Sequence, residues 1–317
     1  MADLLRVQGL SVNFPVSGGL FERGTVNVLG GISLALSAGE TLGLVGESGS
    51  GKTTLARAIL GLVPVSAGKI EFDGQELNSK RAFAASRRSS AMMFQDPIAS
   101  LSPRMSVGSL LTEPFVIHHI PMESRKAKAE ELLNRVGLNP GIAQRFPHEL
   151  SGGQARRVGV ARALALNPKL VIADEPTAGL DVSVQGEILN LMTELKKILG
   201  LSYLIITHNL AIVRHVSDRI AVMYLGRLVE TGPTREVFER PLHPYSKSLI
   251  ASEPQPDPRK RRADLAIKGE IPGILNRPAG CGFHTRCALV QDICRNEAPL
   301  LREIAPDRFV KCHFAET

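Results

Sequence analysis

The 317-residue sequence contains no tryptophan, and none of its apolar runs approaches the roughly 18–20 residues that a transmembrane helix needs. Its first residues, MADLLRVQGLSVNF, lack the basic region, the long apolar stretch and the small-residue cleavage site of a secretory signal. We therefore expect a soluble, cytosolic protein. A chain of this length can bury a large core, and we expect it to hold more than one domain.

Cysteine is absent until residue 281 and then occurs four times, at Cys281, Cys287, Cys294 and Cys312. The cytosolic expectation disfavours disulfides. The spacing lacks the close C-x₂-C pairs that are typical of structural zinc sites. Iron–sulfur clusters take four thiolates at more variable spacings. The residues alone leave three interpretations open: an iron–sulfur cluster, a zinc site, or free thiols that pack as small apolar side chains.

Acidic residues are outnumbered by basic ones, which gives a net charge of +7. This charge suits nucleic acid, anionic lipid or a polyanionic ligand such as a nucleotide. It also suits a protein in which the charge only aids solubility, so the net charge alone does not select a partner.

A phosphate-binding loop is predicted where GESGSGKT matches G-x-x-x-x-G-K-[ST]. An apolar strand pattern precedes it and a helical pattern follows, which favours this interpretation over a glycine-rich turn. Glycines let backbone N–H groups converge on phosphate oxygens, and the helix N-terminus adds further donors. Lys52 is predicted to contact the β- and γ-phosphates, and the Thr53 hydroxyl to ligate Mg²⁺. The predicted ATP-binding residues here are Gly46, Glu47, Ser48, Gly49, Ser50, Gly51, Lys52, Thr53 and Thr54.

Further polar residues follow apolar strands downstream of this loop. Asp174, in KLVIADEP, is predicted to hold the Mg²⁺ shell, and Glu175 to act as the general base toward water. An acidic pair at this point is otherwise a common loop boundary. His208, in YLIITHNL, is predicted to approach the γ-phosphate, although a lone strand-end histidine is more often structural. Gln95, in MMFQDP, is predicted to contact the metal or the water.

The stretch LSGGQ at Leu150–Gln154 resembles the signature of ABC-type ATPases, and all these motifs fall in that family's order. The resemblance implies an α/β P-loop ABC ATPase fold with a RecA-like parallel-sheet core, a β-rich N-terminal part and an inserted helical subdomain. It also implies that the signature and Asp181 act across a dimer interface on ATP held by the opposite subunit. The signature residues that the resemblance assigns to ATP are Ser151, Gly152, Gly153 and Gln154.

Three positions depart from the family pattern. Ala155-Arg156-Arg157 stands where many relatives have a basic residue followed by Gln and Arg, and Ala178-Gly179 stands where Ser-Ala is commoner. The tyrosine that usually stacks on adenine is replaced, and Phe14 resembles its equivalent. Phe21 is a weaker candidate, and a core-packed phenylalanine is the alternative for either position.

The predicted organisation is an ABC domain over 1–235, with its helical subdomain at about 88–160, followed by a linker over 236–262. The basic run 259–262 suits lipid headgroups or a solvated surface. Residues 263–317 form the predicted small cysteine-containing domain. Together with His243-Pro-Tyr245, this tail resembles the C-terminal extension of oligopeptide/dipeptide and nickel importer ATPases. That resemblance implies a [4Fe–4S] cluster at the four cysteines, with zinc as the alternative.

The resemblance as a whole implies an ATPase that powers import of peptides or peptide-like solutes. Nickel chelates, glutathione and opine-type solutes are alternative substrates. The implied partners are a second ABC ATPase, expected to be a paralogue, two membrane permeases and an external solute-binding protein. The implied location is the cytoplasmic face of the bacterial inner membrane. A DNA-repair or ribosomal ABC ATPase is disfavoured, because heptad coiled coils, C-x₂-C modules and a second cassette are all missing, and we expect no nucleic-acid partner.

Overall fold

A computed structural model describes residues 3–18, 22–96, 99–253 and 269–315. Phe21 and the basic run 259–262 lie outside these ranges. The chain divides into two compact units, each described by itself. The phosphate-loop unit contains Asp3–Leu36, Thr41–Asn78 and the described residues from Ile206 onward. The helical unit contains Ser37–Glu40 and Ser79–Ile205.

The strands are β1 (Asp3–Gly18), β2 (Glu22–Ser37), β3 (Thr41–Val45), β4 (Ala67–Phe72), β5 (Gln75–Glu76), β6 (Ser90–Met93), β7 (Leu170–Asp174), β8 (Ser202–Ile206), β9 (Arg219–Tyr224), β10 (Arg227–Pro233), β11 (Arg302–Ala305) and β12 (Arg308–Val310). The α-helices are α1 (Lys52–Ile59), α2 (Lys80–Ser86), α3 (Val107–Ile117), α4 (Arg125–Arg135), α5 (Gly152–Ala163), α6 (Val182–Leu199), α7 (Leu210–Val216), α8 (Thr234–Glu239), α9 (Pro244–Ala251) and α10 (Asp292–Asn296).

In the phosphate-loop unit, one sheet has the order β2-β1-β4-β5, and β1 runs antiparallel to β4 with Leu5 opposite Phe72. The strands of a second sheet follow the order β11-β12-β10-β9-β3. Only β3 and β9 are parallel among the pairs of this run whose register is described. All five residues of β3 are buried, as expected of a strand covered on both faces. This buried strand leads directly into the phosphate loop.

The helical unit contains the strand order β8-β7-β6, with β6 and β7 parallel and Ser90 opposite Leu170. Its helices α3, α4 and α5 pack against one another. Ser106, Ser124 and Ser151 precede these helices, and each side chain accepts a backbone N–H of the first turn. Such caps satisfy donors that the helix itself leaves unpaired, which explains where each helix begins.

The C-terminal residues extend the sheet of the phosphate-loop unit. Strand β12 pairs antiparallel with β10, and Glu230 lies opposite Val310. Residues 302–310 therefore join the same run of strands as β3, while the boundaries predicted at 235 and 263 remain predictions. Within the described residues, no helix combines the length and the hydrophobicity that crossing a bilayer demands.

Candidate nucleotide site

The phosphate loop connects β3 to α1 and requires glycine at two of its turns. Gly46 has φ 151°, and a Cβ there would lie 2.1 Å from the Met223 carbonyl oxygen. Gly51 has φ 100°, and a Cβ there would lie 2.8 Å from a methyl group of Leu29. Side chains are excluded at both positions because the backbone packs closely against its neighbours. The predicted glycine pattern thus has a steric cause.

Lys52 is the first residue of α1, and its side chain is buried against the loop. Its Nζ donates to the Gly46 carbonyl oxygen at 2.7 Å and to the Glu47 carbonyl oxygen at 3.0 Å. The Gly226 N–H donates to the Ser50 carbonyl oxygen at 2.8 Å, which fixes the loop to the β9–β10 turn. The loop therefore presents one ammonium group beside backbone donors at a helix N-terminus, an arrangement that suits a polyphosphate.

His208 lies in the phosphate-loop unit, just beyond β8. The Thr207 N–H donates to the Leu44 carbonyl oxygen at 3.2 Å, so His208 follows a residue paired with the strand that leads to the loop. His208 itself is exposed, and Asn209 next to it caps α7. Phe14 on β1 is 36% exposed, so it is not a core-packed phenylalanine. Its adenine-stacking role remains a prediction.

Asp174 and Glu175 lie where β7 ends in the helical unit. Asp174 is buried, whereas Glu175 is half-buried and has φ 50°. A left-handed backbone is unfavourable for a residue other than glycine, and such residues concentrate at functional sites. Asp73 and Asp307 have similar φ values of 52° and 57°, so this conformation alone does not assign a role to Glu175, and its role as general base remains a prediction.

The signature residues begin α5 with reciprocal capping. The Ser151 hydroxyl accepts the Gln154 N–H at 3.2 Å, and the Gln154 side-chain oxygen accepts the Ser151 N–H at 3.1 Å. Asp181 caps α6 in a similar way, since it accepts from Val184 N–H at 3.0 Å and from the Ser183 hydroxyl at 2.6 Å. The Ser183 hydrogen bond is the main reason that the pKa of Asp181 is lowered. Ser151, Gln154 and Asp181 therefore cap helices, and their assignment to ATP across a dimer interface remains a prediction.

Sequence reasoning singled out Arg156 only as a departure from the family pattern. Its guanidinium donates to the Gln95 carbonyl oxygen at 3.0 Å and to the Ala178 carbonyl oxygen at 2.6 Å. The side chain is 3% exposed, and burial lowers its pKa. One buried arginine thus connects the segment of Gln95, the signature helix α5 and the segment that precedes Asp181.

The chain is similar to ATP-binding proteins of known transporters. Residues 29–178 match the family model "ABC transporter", and residues 229–294 match "Oligopeptide/dipeptide transporter, C-terminal region". The oligopeptide transport ATP-binding protein AppF of Bacillus subtilis is 46% identical, over 98% of this chain and 97% of that protein. The chain belongs to the ABC transporter family. The di/tripeptide transport ATP-binding protein DppF of Pseudomonas aeruginosa is 44% identical over 100% of this chain and 99% of its own length.

Solved ABC cassettes have the same architecture. CbiO1 from Clostridium perfringens, part of the ABC transporter complex cbiONQ, has a TM-score of 0.66 at 33% identity and covers 76% of this chain and 92% of its own. The dimeric cassette MJ0796 bound to ADP and Pi has a TM-score of 0.65 at 26% identity, over 73% of this chain and 99% of its own. The predicted α/β ABC fold is confirmed, and this ABC protein is an ATPase.

The metal-cluster prediction for Cys281, Cys287, Cys294 and Cys312 is wrong. Across the described part of the chain, which includes all four cysteines, no group of three or more His, Cys, Asp or Glu side chains could hold a metal ion. Neither the [4Fe–4S] cluster nor the zinc alternative is therefore supported. Cys281 and Cys287 pack against the apolar cluster around Phe283, and burial raises the pKa of both thiols. Such surroundings favour the neutral thiol over the thiolate that a metal binds.

Proposed function

We propose that this chain hydrolyses ATP to drive the import of peptides or peptide-like solutes through a membrane ABC transporter. The observation that carries the proposal is a phosphate loop in the same compact unit as a C-terminal region of the oligopeptide/dipeptide type. The relatives AppF and DppF are named for oligopeptide and di/tripeptide transport. Nickel chelates, glutathione and opine-type solutes are the alternative cargo.

ATP binding is assigned to the loop Gly46–Thr54, where Lys52 adds a positive charge and the backbone N–H groups add donors. Phe14 is assigned to the adenine ring, because an exposed aromatic face offers stacking. Thr53, Gln95 and Asp174 are the residues that would hold Mg²⁺, which supplies charge neutralisation at the phosphate oxygens. Hydroxyl, amide and carboxylate oxygens are donors that this cation prefers.

Hydrolysis is assigned to Glu175. Its carboxylate accepts a proton from the water that attacks the γ-phosphorus, the bond from that phosphorus to the β,γ-bridging oxygen breaks, and the products are ADP and phosphate. His208 is assigned a contact with the γ-phosphate. Ser151–Gln154 and Asp181 are assigned to ATP on a second ABC ATPase subunit. The dimeric form of MJ0796 supports a two-subunit arrangement, and either a paralogue or a second copy of this chain fits it.

The permease contact is assigned to an open groove of about 550 Å³ in the helical unit. Val116 and Phe146 expose apolar surface along it, and Arg104, Arg125 and Glu113 add charges. An amphipathic helix binds such a groove through its apolar face. We assign it to a cytoplasmic helix of the permease, and we propose that the chain binds peripherally at the cytoplasmic face of the inner membrane. An external solute-binding protein completes the proposed importer.

The Glu175→Gln variant tests the catalytic assignment. We expect ATP hydrolysis by the assembled transporter to fall at least about a hundredfold, because the amide cannot accept the proton of water. Binding of a fluorescent ATP analogue should stay near the parent value, since the phosphate loop is unchanged. An exposed-surface variant, Glu194→Gln, serves as the control and should hydrolyse ATP normally. Parent-like hydrolysis by Glu175→Gln would show that another group is the base.

The cargo is tested by reconstituting the transporter with its solute-binding protein in vesicles. Peptides should stimulate ATP hydrolysis and accumulate inside, whereas stimulation by a nickel chelate, glutathione or an opine alone would favour the alternative. Purification with ribosomes or DNA in place of two integral membrane proteins would contradict the transport function altogether.

A further inference from the structure

Two side chains from the C-terminal part of the phosphate-loop unit contact Glu47 of the phosphate loop. Arg286 donates from both terminal nitrogens, with Nη1 at 2.7 Å from Oε2 and Nη2 at 2.9 Å from Oε1. The Tyr245 hydroxyl oxygen accepts the Glu47 main-chain N–H at 2.9 Å. Both the carboxylate and the amide of Glu47 are therefore engaged by residues about 200 or more positions away in sequence.

The surroundings of Arg286 fix its guanidinium in place. Its side chain is 4% exposed, and its guanidinium carbon lies 5.8 Å from the centre of the Tyr224 ring. Tyr224, Tyr245 and Phe283 pack with ring centres 4.7–5.4 Å apart. Packed aromatic rings have few alternative rotamers, so the donor and the acceptor that meet Glu47 are both held rigidly.

The contact continues from Glu47 to the nucleotide-binding lysine. The Glu47 carbonyl oxygen accepts from Lys52 Nζ at 3.0 Å, and the Gly46 carbonyl oxygen accepts from the same nitrogen at 2.7 Å. The main-chain N–H of Glu47 is thus held by Tyr245 and its carbonyl is oriented toward Lys52. Rotation of this residue would move the carbonyl that locates the lysine ammonium.

We propose that Arg286 and Tyr245 are positioning residues for ATP binding. They hold Glu47, and through it the start of the phosphate loop and Lys52, in the conformation that receives the phosphates. The C-terminal region that this chain shares with oligopeptide/dipeptide transporters thereby supports the ATP site. This role needs no metal and does not depend on which solute is transported.

The test measures the Kd of a fluorescent ATP analogue, with Mg²⁺, for the full chain and three variants. Arg286→Gln removes the charge, Arg286→Lys keeps it but loses the paired geometry, and Tyr245→Phe removes only the acceptor for the Glu47 N–H. We expect binding by Arg286→Gln to weaken about tenfold or more, with smaller losses in the other two. Arg295→Gln, an exposed arginine of α10, is the matched control and should bind like the parent.

Steady-state kinetics separate positioning from a general loss of folded protein. Positioning predicts a raised KM for ATP with kcat at saturating ATP nearly unchanged, because the contact is present before and during the reaction. A merely structural role predicts fewer active molecules, with lower kcat and an unchanged KM.

A double variant adds a second discriminating result. Glu47→Gln with Arg286→Gln should weaken ATP binding less than the sum of the two single effects, because both changes remove the same contact. Strictly additive losses would overturn the proposal. Parent-like ATP affinity in folded Arg286→Lys and Tyr245→Phe would also overturn it. These two variants provide the test if Arg286→Gln does not fold.

Discussion

His243 is buried beside Phe283, with ring centres 5.8 Å apart, in the aromatic cluster that also contains Tyr245. The His243 ring Nδ1 accepts the Tyr245 main-chain N–H at 3.0 Å, and the His243 main-chain N–H donates to a carboxylate oxygen of Glu230 at 2.9 Å. Burial lowers the pKa of His243 to about 3. A hydrogen bond to the Lys311 backbone raises this pKa, and the positive charge of Lys247 lowers it further. The imidazole is therefore neutral in the folded protein near neutral pH.

This depressed pKa predicts a pH dependence of stability. The folded state resists protonation while the unfolded chain takes up a proton below pH 6.5, so the contribution is present above that value and is lost as pH falls. As the pH falls from 7.5 to 5.5, protonation of His243 in the unfolded chain should lower the free energy of unfolding by about 1.4 kcal/mol. The His243→Asn variant keeps an acceptor for the Tyr245 N–H and should lose this component, as measured by urea denaturation at both pH values.

The exposed His215 provides the comparison for that measurement. His215→Gln should retain the parent's pH dependence. If His243→Asn and the parent lose the same free energy over this interval, then His243 titrates normally and the buried neutral imidazole is the wrong description.

At the scale of the element, helix α5 is connected to two loops by Arg156. The guanidinium donates hydrogen bonds to the carbonyl oxygens of both Gln95 and Ala178. A charged donor that bonds two backbone carbonyls fixes the positions of both segments relative to the helix. Arg156 stands where the family usually has glutamine. Its guanidinium connects the segment of Gln95, which is predicted to contact the metal, with the segment of Ala178, which precedes the predicted dimer contact at Asp181.

Removing this bridge should reduce turnover more than ATP binding. We expect Arg156→Met to lower kcat about tenfold, which corresponds to a loss of roughly 1.4 kcal/mol of positioning in the transition state. Arg156→Gln keeps an amide donor and should retain more activity. The adjacent Arg157 bonds the Val136 carbonyl and Glu187 instead, so Arg157→Gln is the control in the same ATPase assay. If Arg156→Met, Arg156→Gln and the control Arg157→Gln all lower kcat by the same factor, the bridging role of Arg156 is wrong.

The elements differ in how far the sequence predicted them. The phosphate loop was predictable because its signal is local: a buried strand, glycines and a lysine within a few residues. The amphipathic helix that contains Arg125–Arg135 was also evident from its periodicity and from Gly137, which takes φ 66° just beyond it. The contacts of Arg286 and Tyr245 with Glu47 were not, because partners about 200 positions apart leave no spacing pattern. The cysteine spacing led to a wrong prediction of a metal cluster. Cys281 and Cys287 pack against the apolar cluster around Phe283, and thiols packed in this way give the same sequence pattern as metal ligands.

At the scale of the whole chain, strand β12 joins the C-terminal end to the sheet of the phosphate-loop unit. Arg308 on this strand donates to the Glu230 carboxylate at 3.1 Å and to the Arg240 carbonyl oxygen. Glu230 is fully buried on β10 and also accepts the backbone N–H groups of Leu242 and His243. The last strand therefore completes the hydrogen bonding of a carboxylate that is inaccessible to water.

A buried ion pair of this kind should matter far more than an exposed one. The Arg308 side chain is 7% exposed and that of Arg235, which pairs with Glu239, is 86% exposed. Arg308→Met leaves the Glu230 carboxylate buried without its cation, so the free energy of unfolding should fall by about 3–5 kcal/mol in urea denaturation. Arg235→Met should cause no measurable loss, because water solvates both exposed partners. If the two variants unfold at the same urea concentration, then Glu230 is stabilised by its backbone donors alone and β12 is a dispensable edge of the sheet. A loss confined to Arg308→Met shows instead that the last strand is integral to the unit that carries the phosphate loop.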